Sequence, residues 1–403
     1  MKILHVIASV DPRGGGPIEG IRSFSEVWTA LGHECHILSL DDPDAEWVKQ
    51  SPQPTVAVGG ASVWTVPGLG YTFTAGLVAW LRTHAEAYSA VIIHGLWNYA
   101  SVGTWRALAG SSTPYFVFTH GMLDPWFLRA YPRKAMLKAV FWKLFEHRVL
   151  RDAAGVLFTS EDERDLAAQS FSPYDVRPVV VGFGASDIDG DRQAYQDAFA
   201  VRFPLLNGRR FVLFLGRIHP KKGVDLLIKA FADLAADYPD LDLVIAGPDQ
   251  VGWQRELTAT AEALGVAARI HWPGMLTGDA KWGAFIGATC FALPSHQENF
   301  GVAVAEALIL GTPVLITHKV NIWRQIEADA AGVVVDDQAD DVGRGLRAMC
   351  AMSDTDRQAM SHNARQCYLR HYDLKTIAVS LLDVMRAPQT IGSASPRTLA
   401  RQS

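Results

Sequence analysis

Cysteine is scarce in this chain. Cys35, Cys290, Cys350 and Cys367 are the only four among 403 residues; they are scattered without metal-ligand spacing, and Cys290 lies in an apolar run. That argues against a disulfide framework and fits reduced, buried thiols in a cytoplasmic protein. An excess of positive charge is also missing: the formal net charge is -5, which argues against general nucleic-acid binding. No segment has the uninterrupted apolar length of a spanning helix. The start, Met1-Lys-Ile-Leu-His-Val-Ile-Ala-Ser-Val, resembles a signal peptide only superficially, because its apolar run is short, carries His5 and leads to Asp11 and Gly14-Gly-Gly. These features predict a soluble protein that can still lie on a membrane surface.

What is present is an ordinary globular composition, 49% hydrophobic and 20% charged, with length for two domains of roughly 150–200 residues. Both halves alternate short β-branched runs with longer helix-like stretches, the pattern of parallel α/β sheets. The first half reads as strands at Lys2–Ala8, Glu34–Leu40, Val63–Val66, Ala90–His94, Tyr115–Thr119, Gly155–Thr159 and Pro178–Val181. The second reads as strands at Arg210–Gly216, Asp242–Ala246, Arg269–Trp272, Thr289–Leu293, Pro313–Thr317 and Ala331–Val335, with helices such as Pro17–Leu31, Val224–Tyr238 and Gly252–Leu264 between strands. Residues 182–208, polar and rich in Asp and Gly apart from a possible helix near Tyr195–Phe203, are the expected hinge. Leu374–Arg386 is a single amphipathic helix, and the chain past Ala387 reads as a disordered tail. Two doubly wound, Rossmann-like sheets then face one another across a cleft, where ligands usually bind at the strands' carboxyl ends.

The most informative segment is Glu298-Asn-Phe-Gly-Val-Ala-Val-Ala-Glu306. It follows a strand that ends at Pro294, and Gly311-Thr-Pro stops the helix that it opens. Glu298 belongs to the loop, and Glu306 lies more than one turn into the helix. Exposed N–H groups near Phe300, Gly301 and Val302 favour an anion. A phosphate joined to a polyhydroxylated group suits such a pocket; the plainer reading is two acids with local helix duties. Gly216-Arg-Ile-His-Pro-Lys-Lys-Gly223 follows the first strand of the same half. Arg217 can fork onto phosphate oxygens, and Lys222 adds a point charge. This loop lacks both the Walker order and the dinucleotide fingerprint. In the first half, Asp11-Pro-Arg-Gly-Gly-Gly-Pro lets backbone approach a ligand at Gly15 and Gly16 and again opens a helix.

Taken in order, the Gly-rich first loop, Gly-Arg-x4-Lys-Gly and Glu-x-Phe-Gly-x4-Glu resemble the retaining family 4 glycosyltransferases of the GT-B fold, over nearly the whole chain. The resemblance implies an acceptor domain at 1–184, a nucleotide-sugar domain at 185–370, a helix at 371–388 crossing back to the first domain, and a tail at 389–403. It further implies that Arg217 and Lys222 hold the diphosphate and stabilise the departing nucleotide. Glu298 would bond the donor sugar's hydroxyls, with Asn299, Phe300 and Gly301 lending backbone groups. Glu306 would bind the ribose, and Pro273–Leu276, with Met275, would border the base. No metal or other cofactor is implied, since basic side chains and a helix terminus neutralise the diphosphate. Retention is usually explained by attack on the face that the diphosphate leaves; a double displacement would need a carboxylate nucleophile.

On the acceptor side, His94-Gly-Leu-Trp-Asn and Thr119-His-Gly-Met-Leu-Asp-Pro-Trp both follow strands. His120 matches a histidine near the donor sugar in relatives. Trp97, Asn98, Asp124 and Trp126 are candidates for stacking on and bonding a saccharide, with His94 beside them; a packed aromatic rim is the plainer reading. From Arg129 to Arg151 seven cations meet a single acid, Glu146, with Leu137, Val140, Phe141, Trp142, Leu144 and Phe145 interleaved. Such a helix can rest on an anionic bilayer, where lipid-linked acceptors reside, or can simply pack on the sheet. Family habit points to GDP-mannose or a related donor and to a lipid-linked surface polysaccharide (O-antigen or exopolysaccharide) as acceptor, at the inner face of the plasma membrane. The chain departs from the family at the hinge, where Val181-Gly-Phe-Gly-Ala-Ser-Asp replaces an Asn-Gly-Val-Asp-like turn. Asp187-Ile-Asp189 and Asp240-Leu-Asp242 mimic a metal-binding Asp-x-Asp but read as surface turns. A sugar-nucleotide epimerase and a non-catalytic partner subunit of the same fold are the rival readings.

Overall fold

The computed structural model describes residues 1–60, 64–66 and 71–387. In chain order the strands of the first half are β1 (Lys2–Ile7), β2 (Glu34–Ser39), β3 (Thr55–Ala57), β4 (Trp64–Val66), β5 (Tyr71–Phe73), β6 (Ala90–His94), β7 (Tyr115–Phe118), β8 (Gly155–Phe158) and β9 (Pro178–Val180). Seven of them form one parallel sheet in the order β3-β2-β1-β6-β7-β8-β9. The second half contributes β10 (Arg210–Leu215), β11 (Leu241–Ala246), β12 (Ile270–Gly274), β13 (Cys290–Leu293), β14 (Val314–Thr317) and β15 (Gly332–Val335), again parallel, in the order β12-β11-β10-β13-β14-β15. Every residue of β6, β7, β8, β11, β13 and β14 is buried. That is why these strands read as continuous apolar runs: a parallel sheet is covered by helices on both faces.

The expected strands occur, with one correction. The run at Val63–Val66 does not join the first sheet. Among the described residues Trp64–Val66 pairs only with β5, in the antiparallel sense, and Val63 lies outside them. The seat beside β2 is taken by β3, a three-residue edge strand with no buried residue and hence almost no sequence signal.

The expected hinge is shorter than residues 182–208. The helix Arg192–Arg202 packs against Gly278–Gly287 so closely that a Cβ on Gly283 would lie 2.0 Å from the Tyr195 carbonyl. The chain crosses between the sheets near Ala185 and again near Tyr372, and the two crossings are joined by Ala185 N–H to Tyr372 C=O at 3.2 Å and Leu374 N–H to Ala185 C=O at 3.3 Å. The last helix, Leu374–Arg386, buries Leu374, Ile377, Ala378, Leu381, Leu382 and Met385, an apolar stripe at helical spacing. It lies on the first-domain helix Gly16–Ala30, whose Trp28 indole donates to the Ala378 carbonyl at 2.9 Å.

Candidate active site

The loops that follow β1, β7, β10 and β13 converge on a cavity of about 490 Å³ between the two sheets. It is lined by Gly15, Gly16, His120, Arg217, Lys222, Glu298, Asn299, Phe300, Gly301, Val302 and Glu306, so that most of the expected site residues do meet. Its floor is the start of the helix Val302–Ile309, capped by Gly301 in the left-handed region. Glu298 lies in the loop ahead of that start and Glu306 just over one turn inside it. A Cβ added at Gly14, Gly15 or Gly16 would meet no protein atom within 4 Å. Packing therefore does not require glycine there, although φ +79° at Gly15 favours it, and the loop leaves open space beside the cavity.

Lys222 is buried, and its ammonium contacts the Glu298 carboxylate. Desolvation and then repulsion from Lys221 and Arg217 pull the lysine well below its ordinary value. Glu298 is the compensating anion beside it. Gly223 makes this placement feasible: its φ is +66°, and a Cβ would stand 2.0 Å from the Pro294 carbonyl, so any side chain would push the lysine loop off the β13 end. Glu306 is held by Lys281 at 2.9 Å, and that lysine also sits 3.8 Å from the Trp282 ring centre. Arg217 is exposed, with one bond to Gln250 at 3.2 Å.

Across the cleft stands His120, a non-glycine residue in the left-handed region with φ 49°. Such a conformation persists only where its surroundings over-determine it, and here Glu163 does so. This buried carboxylate accepts from Thr119 Oγ1 (2.7 Å) and Gly121 N–H (2.6 Å) on one oxygen, and from Thr159 N–H and Oγ1 (both 2.7 Å) on the other. All its acceptor needs are met by the two loops that face the second domain. Those loops touch it directly: Asn299 Nδ2 donates to Thr159 Oγ1 at 3.1 Å, and a Cβ on Gly121 would lie 2.8 Å from the Asn299 side chain. Gln297 Nε2 donates to Asp124 Oδ2 at 3.1 Å, and Arg324 pairs with Asp162 at 2.8 Å.

Other expected residues lie elsewhere. Met275 is 59% exposed and outside the cavity lining. His94 is buried behind His120. Trp97 packs on Phe141, Trp142 and Phe171 beneath Lys138. Asn98 caps the helix Tyr99–Leu108 by accepting from Ala100 N–H at 2.9 Å. Asp124 and Trp126 do face the cleft, on a second and larger cavity of about 1050 Å³ that also presents Trp253 and Trp323. The two cavities share Lys221 and Gln297. Burial and the nearby Arg217 pull the Lys221 ammonium down to about 8. The sequence motifs assign no role to His5, Lys221, Gln297 or Glu163, although Lys221 lies inside the Gly216–Gly223 loop and Ser160-x-x-Glu163 is a helix-start pattern. Of the Asp-x-Asp pairs expected on surface turns, Asp187 is bonded to Arg365, whereas Asp242 is buried inside β11 and bonded to Arg209, so the second expectation is corrected.

Comparison with known proteins fits this geometry. The profile of the Glycosyl transferases group 1 matches residues 197–367, and that of the Glycosyl transferase 4-like domain matches residues 15–184. The chain belongs to the group 1, family 4-like glycosyltransferases of the GT-B fold. This glycosyltransferase is 28% identical to the D-inositol 3-phosphate glycosyltransferase of Salinispora tropica over 81% of its own length and 70% of the relative's. It is 24% identical to that of Corynebacterium urealyticum, over 84% and 80% of the two chains. Among solved structures, Anabaena HepE in complex with UDP superposes with a TM-score of 0.73 at 19% identity, covering 96% and 99% of the two chains. WaaG, a glycosyltransferase involved in lipopolysaccharide biosynthesis, superposes with 0.67 at 17% identity, covering 96% and 100%.

Proposed function

We propose that this enzyme moves a sugar, with retention of anomeric configuration and without a metal, from a nucleoside-diphosphate sugar to a saccharide acceptor. The observation that carries the reading is the convergence of Lys222, Arg217 and a helix start on one side of a cavity, with Glu298 between them and His120 opposite. When a sugar–phosphate bond breaks, negative charge grows on the diphosphate and positive charge on the ring. Arg217, Lys222 and the N–H groups at Gly301 and Val302 suit the first; Glu298 suits the sugar's hydroxyls, and Glu306 the ribose. The bond from the anomeric carbon to the diphosphate breaks, the acceptor oxygen bonds on the same face, and the acceptor's hydroxyl proton passes to the departing phosphate oxygen. The pairing of both carboxylates with lysines supports this route over a carboxylate nucleophile.

The larger cavity is the acceptor site. Trp126, Trp253 and Trp323 offer flat apolar faces for sugar rings, and Asp124, Asp162 and Asp337 offer acceptors for hydroxyls. That cavity speaks against the epimerase reading, which has no use for an acceptor. A lipid-linked acceptor fits one further surface. On the helical segment after Trp126, Met136, Leu137, Val140 and Leu144 are 74%, 56%, 59% and 51% exposed. Exposed Arg133, Lys134, Lys143 and Arg148 flank them, while Trp142 turns inward. No helix among the described residues is long and apolar enough to cross a membrane, so contact would be with a bilayer's surface. The nucleotide is uridine, as in HepE, or guanosine, as in a GDP-mannose donor.

Thermal-shift titration with UDP, GDP and ADP selects the base. Transfer assays with the matching sugar nucleotide then test the site: Glu298→Ala and Lys222→Ala lose activity, and full activity in both removes the assignment. Loss of activity with chelator overturns metal independence. Anionic liposomes bind the chain less when Arg133, Lys134 and Lys143 are reversed; unchanged binding removes the membrane surface.

A further inference from the structure

His120 does not stand alone. Its Nε2 lies 3.0 Å from His94 Nδ1, and His94 Nε2 lies 2.9 Å from His5 Nδ1, so three imidazoles from β1, β6 and the loop after β7 form one hydrogen-bonded row. His5 and His94 are buried, 1% and 5% exposed. The far end of the row, His5 Nε2, is buried and has no hydrogen-bond partner among the described residues. The Trp28 ring stacks on His5 at 5.7 Å, nearly parallel at 11°, while its indole N–H is committed to Ala378. At the near end, His120 lines the donor cavity, and its Nδ1 makes no hydrogen bond among the described residues.

A row of neutral imidazoles has two directions. Each contact needs one N–H and one lone pair, so the choice at one end fixes the other. If His5 Nδ1–H donates to His94, and His94 Nδ1–H donates to His120, the only group left over at the buried end is a bare lone pair on His5 Nε2. In the opposite direction that end is an N–H with no acceptor, which is the rarer defect in folded proteins. The first direction is the one that leaves no buried N–H without an acceptor, and its consequence falls in the cavity. We propose that His5 and His94 are positioning residues that fix the tautomer of His120, so that its Nδ1 presents a hydrogen to the bound glycosyl donor. The row stays uncharged because burial pulls His5 down to about 3, His120 to about 4 and His94 well below its ordinary value. A neutral imidazole that offers N–H is a hydrogen-bond donor to a sugar hydroxyl and not a base. The acceptor's proton must then leave by another route, which agrees with its passage to the departing phosphate.

The ligand role rests on the reading of the cavity as a donor site, but the tautomer does not. ¹⁵N-histidine NMR of the full chain at pH 7, with no nucleotide added, tests it, with His120 assigned by the signals lost in His120→Ala. The expected spectrum has the hydrogen of His120 on Nδ1. His5→Asn keeps an N–H near the place of Nδ1 and preserves that pattern, whereas His5→Phe removes it and mixes the two tautomers at His120. Hydrogen on Nε2 of His120 in the unmodified chain overturns the proposal, as does a His5→Phe variant that lowers Tm without moving the His120 hydrogen. If His5→Phe does not fold, the spectra of the unmodified chain and His5→Asn decide. A wrong donor assignment leaves these spectra as they are and shows only in the nucleotide titration.

Discussion

The two walls of the cleft are built differently. The second-domain wall is assembled from short stretches in which a strand, a loop and a helix start follow one another, as in Gly216–Gly223 and Glu298–Glu306. The first-domain wall is assembled from residues far apart in sequence, with His5, His94, His120, Thr159 and Glu163 meeting only because β1, β6, β7 and β8 are neighbours. The first kind of wall places its charges by local geometry; the second depends on buried hydrogen bonds that hold loops together. Damage to the first should therefore appear as lost chemistry, and damage to the second as lost stability together with lost alignment.

On the proposed reaction the largest effect is expected from Lys222→Ala, which would take a cation from the departing diphosphate and leave Glu298 without its lysine. Its kcat/KM should fall roughly a thousand-fold, measured with the selected nucleotide sugar; a loss below tenfold would place the diphosphate elsewhere. Glu163→Ala tests the opposite wall. Four donors lose their acceptor, so stability should drop by roughly 3 kcal/mol in urea unfolding, with kcat reduced more than the donor KM changes. An unchanged stability would mean that the loops do not need the carboxylate.

Acid should act through the same wall. His5 and His120 are held near 3 and 4 when folded, while the unfolded chain takes up protons from about 6.5 downward. The imidazoles' contribution to stability is therefore complete above that value and is lost as pH falls from about 6.5 towards 4, at about 1.4 kcal/mol per tenfold change in proton affinity. Glu146, which burial raises to about 7, acts in the opposite sense as pH rises from about 4.5 to 7, but it is one group against three imidazoles. Replacement of His5 by Asn should flatten the acid limb of a Tm-against-pH curve.

Smaller effects separate the two cavities. Trp126→Ala should raise the acceptor KM about tenfold, a loss of about 1.4 kcal/mol, without altering the thermal shift given by nucleotide. Asn98→Ala should cost about 1 kcal/mol of stability as a lost helix cap and leave the acceptor KM unchanged. A raised acceptor KM there would return Asn98 to the binding surface.

The difference between the walls also sets what could be read in advance. Strands β13 and β14 were legible as continuous buried apolar runs, and so was the placement of Glu298 and Glu306, since a strand-ending Pro and a Gly-Thr-Pro stop bracket the loop and helix that carry them. Trp97 and Asn98 followed a strand and carried sugar-binding chemistry, yet one packs among aromatic rings and the other caps a helix. Position after a strand tells which end of the sheet a residue occupies, but not which way its side chain turns.

The sequence by itself determined the two parallel sheets and the glycine-punctuated loops of the second-domain wall, because periodicity, β-branching and Gly/Pro punctuation act over a few residues. The tertiary structure alone decided that three histidines separated by 89 and 26 positions share a row, and that Glu163 fixes the backbone around His120. It also decided that Asp124 and Trp126 line a cavity apart from the one that His120 lines. Strand order brings these residues together, and burial deprives them of water, so each must find its partner in another part of the chain.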